Sequence, residues 1–119
     1  PRQFVVKEPV TYPANGGKVI EADGYDLFSR SMARFAFSKA YPGSGAAGTS
    51  VAVGISGTIA NEASTHQRSG ADYEVSIGHP GGTLQVSAEI DATSNEVKVN
   101  KAAIGRTARL LMDGKAYIR

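Results

Sequence analysis

Three short stretches hold residue types that could act on a small molecule. The first is Gly43-Ser44-Gly45-Ala46, a glycine turn that leads into a run of small residues reaching Ile55. If that run is a helix, its first turn presents backbone N–H groups with no partner inside the helix. Together with the positive end of the helix dipole, those donors suit a carboxylate. The second is the loop Gly78-His79-Pro80-Gly81-Gly82-Thr83, where three glycines and a proline set an unusual backbone and His79 can donate or accept at its tip. The third is Arg106-Thr107-Ala108-Arg109, whose two guanidinium groups suit bidentate carboxylate binding. As a strand it would place Arg106 and Ala108 on one face and Thr107 and Arg109 on the other. Each stretch also has a plainer reading. The glycine turn serves equally for tight packing where a helix begins; a His-Pro-Gly loop is more often only a turn, and surface arginines are more often only solvated.

Other chemistries lack their residues. With no cysteine, neither a disulfide framework nor a thiol nucleophile nor a cysteine zinc site is available. His66 and His79 sit in separate loops, neither tied by spacing to a nucleophile or to a metal-binding partner, so no Ser-His-Asp arrangement and no metal site is expected. The Gly43 turn also does not match the phosphate-binding P-loop, which needs a longer glycine loop ending in Gly-Lys-Ser/Thr.

The surrounding elements must hold these stretches in place. Gln3 to Lys7 is apolar and β-branched, a short strand closed by Pro9, and Asn15-Gly16-Gly17 marks a turn. Asp23 is a good N-cap for a helix to about residue 38, with Phe28, Met32 and Phe35 at helical spacing and Arg30 and Arg34 on other faces. The small-residue run after Tyr41-Pro42 would make a poor surface helix, since Gly costs ~1 kcal/mol against Ala in a helix interior. It makes sense as a helix buried on all sides. Asp72 to Ile77 and Thr83 to Ile90 alternate as strands, the second with Leu84, Val86, Ala88 and Ile90 on one face. Ser94-Asn95 marks a turn before a strand over Val97 to Lys101. Ala103 to Met112 reads as strand or helix, and Asp113-Gly114 signals a hairpin returning over Lys115 to Ile118. The pattern predicts an α+β domain.

The chain has 119 residues with 13 basic and 11 acidic side chains, a net +2. That length fits one domain with a modest core, and the charge balance offers no basic patch for nucleic acid. No apolar run approaches the ~20 residues that span a bilayer, and no signal peptide is visible. A cytoplasmic protein is the expectation. The chain begins at Pro1, as a cleaved or trimmed product would.

Several fragments then fall into one known order. The chain resembles the C-terminal part of the family containing 2-methylaconitate cis–trans isomerase, methylitaconate Δ-isomerase and oxalomesaconate tautomerase. The matching residues are Phe4-Val5-Val6 with Pro9 and Tyr12, Gly17-Lys18, Asp26-Leu27 with Arg30, Ser31-Met32, Lys39-Ala40-Tyr41 and Gly43 to Ala46. They continue through Ile55 to Glu62, Ile77 to Leu84, and Lys101-Ala102 to Gly114, so nearly the whole chain takes part. The resemblance implies one half of a diaminopimelate-epimerase-like fold, a curled, mostly antiparallel sheet around a central small-residue helix. Members are considerably longer, which implies that residues 1–119 form a single C-terminal domain. Its partner would be an absent N-terminal half, with residues 101–119 as closing strands packing toward it. The implied reaction is cofactor-free proton transfer that moves a double bond in an aconitate-type di- or tricarboxylate. The main acid and base would lie in the other half, and no catalytic residue is assigned here. This half would bind substrate through Gly43, Ser44, Gly45 and Ala46 (backbone N–H groups and the Ser44 hydroxyl), with His79 and Arg106 as further contacts.

Two departures stand out. Diaminopimelate epimerase has a catalytic Cys just before its glycine turn; here Pro42 stands there and transfers no proton. The family loop usually reads His-Pro-Ser-Gly, and here Gly81 replaces the serine. They leave room for a carboxylate-binding or structural domain without catalysis. The Pro1 start leaves room for one chain of a split isomerase. A lone half would also expose its cleft face, through which a homo-oligomer could form.

Overall fold

A computed structural model describes residues 2–65, 72–91 and 96–118. His66 and the Ser94-Asn95 turn lie outside them. The main sheet is built from β1 (Arg2–Lys7), β4 (Leu27–Ala33), β6 (Asp72–His79), β7 (Gly82–Asp91) and β8 (Lys98–Ile104), in that spatial order. Neighbours are antiparallel except β4 and β6, which run parallel with Phe28 opposite Gly78. A short β5 (Ala36–Phe37) pairs with the end of β4, and β2 (Tyr12–Pro13) pairs with β3 (Val19–Ile20) in a separate ribbon.

The alternating stretches become the strands expected of them. Along β7, Val86, Ala88 and Ile90 are buried and Leu84 is half-buried on the same face. Against this face packs helix α1 (Gly43–Gly54), with Ala46, Ser50 and Val53 fully buried and Thr49 nearly so. Small side chains permit this, because a helix inside a tightly curled sheet has little room beyond its backbone. Burial is not complete, however. Ser44 and Gly48 face outward, because the sheet curls only part of the way round and leaves a cleft between β1, α1 and the short helix α2 (Ile59–Ala63). Thr58 caps α2 by accepting the Asn61 N–H.

The helix expected over residues 23–38 does not form. A single 3-10 turn, Ala22–Gly24, is followed by β4 and a tight hairpin into β5. Phe28 and Met32 are four apart, which places them on one face of a strand as well as of a helix. The decisive set is Leu27, Ser29 and Ser31, at most 1% exposed, which period two sends into the core. Serine is a poor core signal, and here each hydroxyl is satisfied inside. Asp23 caps nothing. The neighbouring carboxylate Asp26 instead accepts the Ser76 N–H at 2.8 Å and so ties β4 to β6.

A second, smaller core lies on the other face of the sheet, where Tyr12, Ala14, Ile20 and Tyr25 cover Phe28. Residues 105–118 form neither helix nor strand, and the Asp113-Gly114 hairpin is absent. Leu110, Leu111, Met112, Tyr117 and Ile118 are 78–98% exposed, so a returning strand has no apolar surface to settle on. Among the described residues no helix is long and apolar enough to cross a membrane.

Candidate functional site

The site is built on the start of α1. Pro42 occupies the N-cap in extended conformation, no side chain caps the helix and no acidic residue lies in its first turn. The Ala46 N–H bonds the Pro42 carbonyl at 2.9 Å, and Ala46 is fully buried. Ala46 therefore offers no donor outward, which corrects the four-residue expectation. Gly43, Ser44 and Gly45 are the first-turn residues whose N–H groups have no intrahelical acceptor.

A side chain at Gly43 or Gly45 would require its neighbours to shift. A Cβ on Gly43 would lie 2.8 Å from Ile104 Cδ1 and 3.5 Å from an Arg106 guanidinium nitrogen. A Cβ on Gly45 would collide with the Phe4 ring. The Arg106 contact is the informative one, because Arg106 lies two residues beyond β8 and the Gly105 N–H between them bonds the Gln85 carbonyl at 3.0 Å. That bond keeps the exposed Arg106 beside Gly43, at the uncapped end of α1, where the helix dipole favours an anion. Arg109 lies further along the exposed stretch. Ser44 is exposed at the rim of the cleft, about 690 Å³ and mostly apolar, whose walls include Phe4, Val6, Thr49 and Ile59.

His79 ends β6 and lies against Tyr41, their ring centres 5.9 Å apart. Its Nδ1 accepts the Gly81 N–H at 3.1 Å. Burial pushes its pKa below the ordinary 6.5, the Arg30 charge pushes it the same way, and a backbone hydrogen bond at Thr83 opposes both. The imidazole is thus held toward its neutral form. Tyr41, just before Pro42, joins Ser29 Oγ at 2.8 Å and Thr49 Oγ1 at 3.0 Å in a buried hydroxyl chain.

Some participants were not singled out from the sequence. Tyr12 donates to the carbonyls of His79 (2.9 Å) and Gly82 (2.6 Å), which anchors the loop. Arg30 lies over the Tyr12 and Phe28 rings at 4.8 and 4.0 Å. Read as a strand, β4 would have put Arg30 beside Phe28 and Met32; the helical reading hid that. Among the described residues no three His, Asp or Glu side chains gather as a metal site needs.

The whole chain, residues 1–119, matches the family described as PrpF protein. The chain belongs to that family. Its similar relatives include "2-methyl-aconitate isomerase" of Cupriavidus necator, 35% identical over 96% of this chain, and that of Shewanella oneidensis, 34% identical over 96%. "3-Methylitaconate isomerase" of Eubacterium barkeri is 36% identical over 97%. The chain spans 28%, 28% and 29% of these relatives' own lengths. The crystal structure of methylitaconate-delta-isomerase superposes with a TM-score of 0.68 at 29% identity, covering 89% of this chain and 28% of that one. This PrpF-family chain therefore has the diaminopimelate-epimerase-like fold expected from its motifs, a curled sheet around a small-residue helix.

Proposed function

We propose that this chain is the C-terminal, carboxylate-binding part of an isomerase that moves a proton and a double bond in an aconitate-type polycarboxylate. The observation that carries the proposal is the meeting of Arg106 with Gly43 at the uncapped start of α1. Those residues are far apart in sequence, and the nearness of a guanidinium to the first turn of α1 supports the reading. The isomerase names of the relatives support the reaction class.

Gly43, Ser44 and Gly45 bind a substrate carboxylate through their N–H groups, the Ser44 hydroxyl adds a donor, and Arg106 neutralises the charge. His79 supplies a further contact. As the carbon acid loses its proton, negative charge builds on the conjugated carboxylate, and fixed donors stabilise it without reorganising. The acid and base come from protein outside these residues, and no cofactor takes part. Residues 101–119 pack toward that remaining protein.

The test is titration of the 119-residue chain with cis-aconitate, followed by amide NMR. Saturable shifts at Gly43 to Gly45 are expected, with affinity at least about ten-fold weaker in Arg106→Ala. In D2O the chain alone should put no deuterium into the ligand. Absence of saturable binding overturns the carboxylate site. Deuterium incorporation by the chain alone overturns the assignment of acid and base to other residues.

A further inference from the structure

We propose that the β4–β5 hairpin is a docking element whose tip, Arg34-Phe35 with Phe37 behind it, seats in an apolar pocket of the isomerase outside residues 1–119. The inference rests on the reading of this chain as one part of a larger isomerase.

The hairpin turns on two residues in the left-handed region, Arg34 at φ 50° and Phe35 at φ 66°. Bulky side chains are rare there, because the Cβ crowds the following carbonyl. Strain of this kind persists where another interaction offsets it, most often at a functional surface. No packing within the described residues does so, since Phe35 is 100% exposed and Phe37 63%. Gln3 and Met32 line a shallow hollow together with Arg34 and Phe35, so the tip offers a ledge as well as a projection. Aromatic, methionine and arginine side chains grouped in this way are the usual anchors of an interface.

The strand register places the tip at the end of the sheet where α1 begins. Phe4 pairs with Ser31, and its ring fills the space that a Cβ on Gly45 would need. Arg34 lies three residues beyond Ser31, about 10 Å along the strand. The exposed stretch carrying Leu110, Leu111 and Met112 leaves from the same end, since Arg106 lies beside Gly43. The occupant is the rest of the isomerase. The chain spans only 28–29% of its relatives' lengths, and the remainder, which brings the acid and base to the substrate, must lie against this end.

Hydroxyl-radical footprinting reads the contact without any substitution, because trypsin releases Phe35 to Lys39 as one peptide holding both rings. In the isolated chain that peptide should oxidise freely at every protein concentration, with buried Tyr41 in the next peptide as the folding control. In the full-length protein its oxidation should fall by about five-fold or more, as water is excluded from the contact. Equal oxidation in the two overturns the proposal. So does protection in the isolated chain that grows with concentration, which would assign the tip to a contact between copies. A natural product of only 119 residues overturns it as well.

The strained turn supplies an independent reading. Arg34→Asn with Phe35→Gly should raise the urea midpoint of the isolated chain and lower that of the full-length protein. A gain in both overturns the docking role. Neither measurement uses turnover, so a protected tip in a full-length protein without isomerase activity keeps the docking role and overturns the proposed reaction.

Discussion

Tyr41 sits where three elements meet, and its hydroxyl is shared between Ser29 of β4 and Thr49 of α1. Tyr41→Phe leaves the ring against Phe4 and His79 but removes the hydroxyl from a closed interior. Ser29 keeps the Val5 carbonyl as its acceptor, while Thr49 loses its partner. The expected cost is about 1–3 kcal/mol in urea unfolding, the price of a buried polar group left alone. His79 makes stability depend on pH. Its folded pKa lies below the ordinary 6.5, so between those values the unfolded chain holds a proton that the folded chain does not. Stability therefore rises with pH up to about 6.5, is fully present above it, and is lost as the pH falls below it. His79→Gln should flatten the urea-midpoint profile across that window relative to the parent chain.

The β4–β5 hairpin turns through Arg34 and Phe35, both in the left-handed region at φ 50° and 66°. Two-residue hairpins of this hand favour Asn-Gly, because a side chain there crowds the following carbonyl. Phe35 is 100% exposed, so no packing compensates. Arg34→Asn with Phe35→Gly should raise stability by about 1 kcal/mol or more, seen as a higher urea midpoint at unchanged slope. No local signal announces this turn, since Arg-Phe carries no turn preference. That is also why β4 reads as a helix from the sequence: its boundary is hidden and two of the three residues on its inward face are serines. By contrast, β6 and β7 alternate openly and are joined by a glycine-proline turn, so both are legible residue by residue.

In the chain as a unit, stability resides in the sheet and α1, and residues 108–118 contribute little. They are exposed and take part in no helix or strand. Ending the chain after Thr107 keeps Arg106 and should change the unfolding free energy by less than about 0.5 kcal/mol. A larger loss would mean that this stretch packs on its own sheet. An unchanged value fits the proposal that residues 101–119 pack on protein outside these residues.

From composition and pattern alone follow an α+β domain, the buried small-residue helix and the β6–β7 hairpin. All of these depend on signals within a few residues of one another: period, glycine, proline, small side chains. Only the folded chain decides that Leu27–Ala33 is a strand, because four-residue spacing satisfies both periods and the sheet supplies partners on both edges. Only the folded chain brings Arg106 over Gly43, withdraws Ala46 into its own helix bond, and sets Arg30 on Tyr12 beside His79. Such contacts join residues far apart in sequence, and no local pattern encodes them; they exist because the sheet curls around α1 and delivers their strand ends to one place.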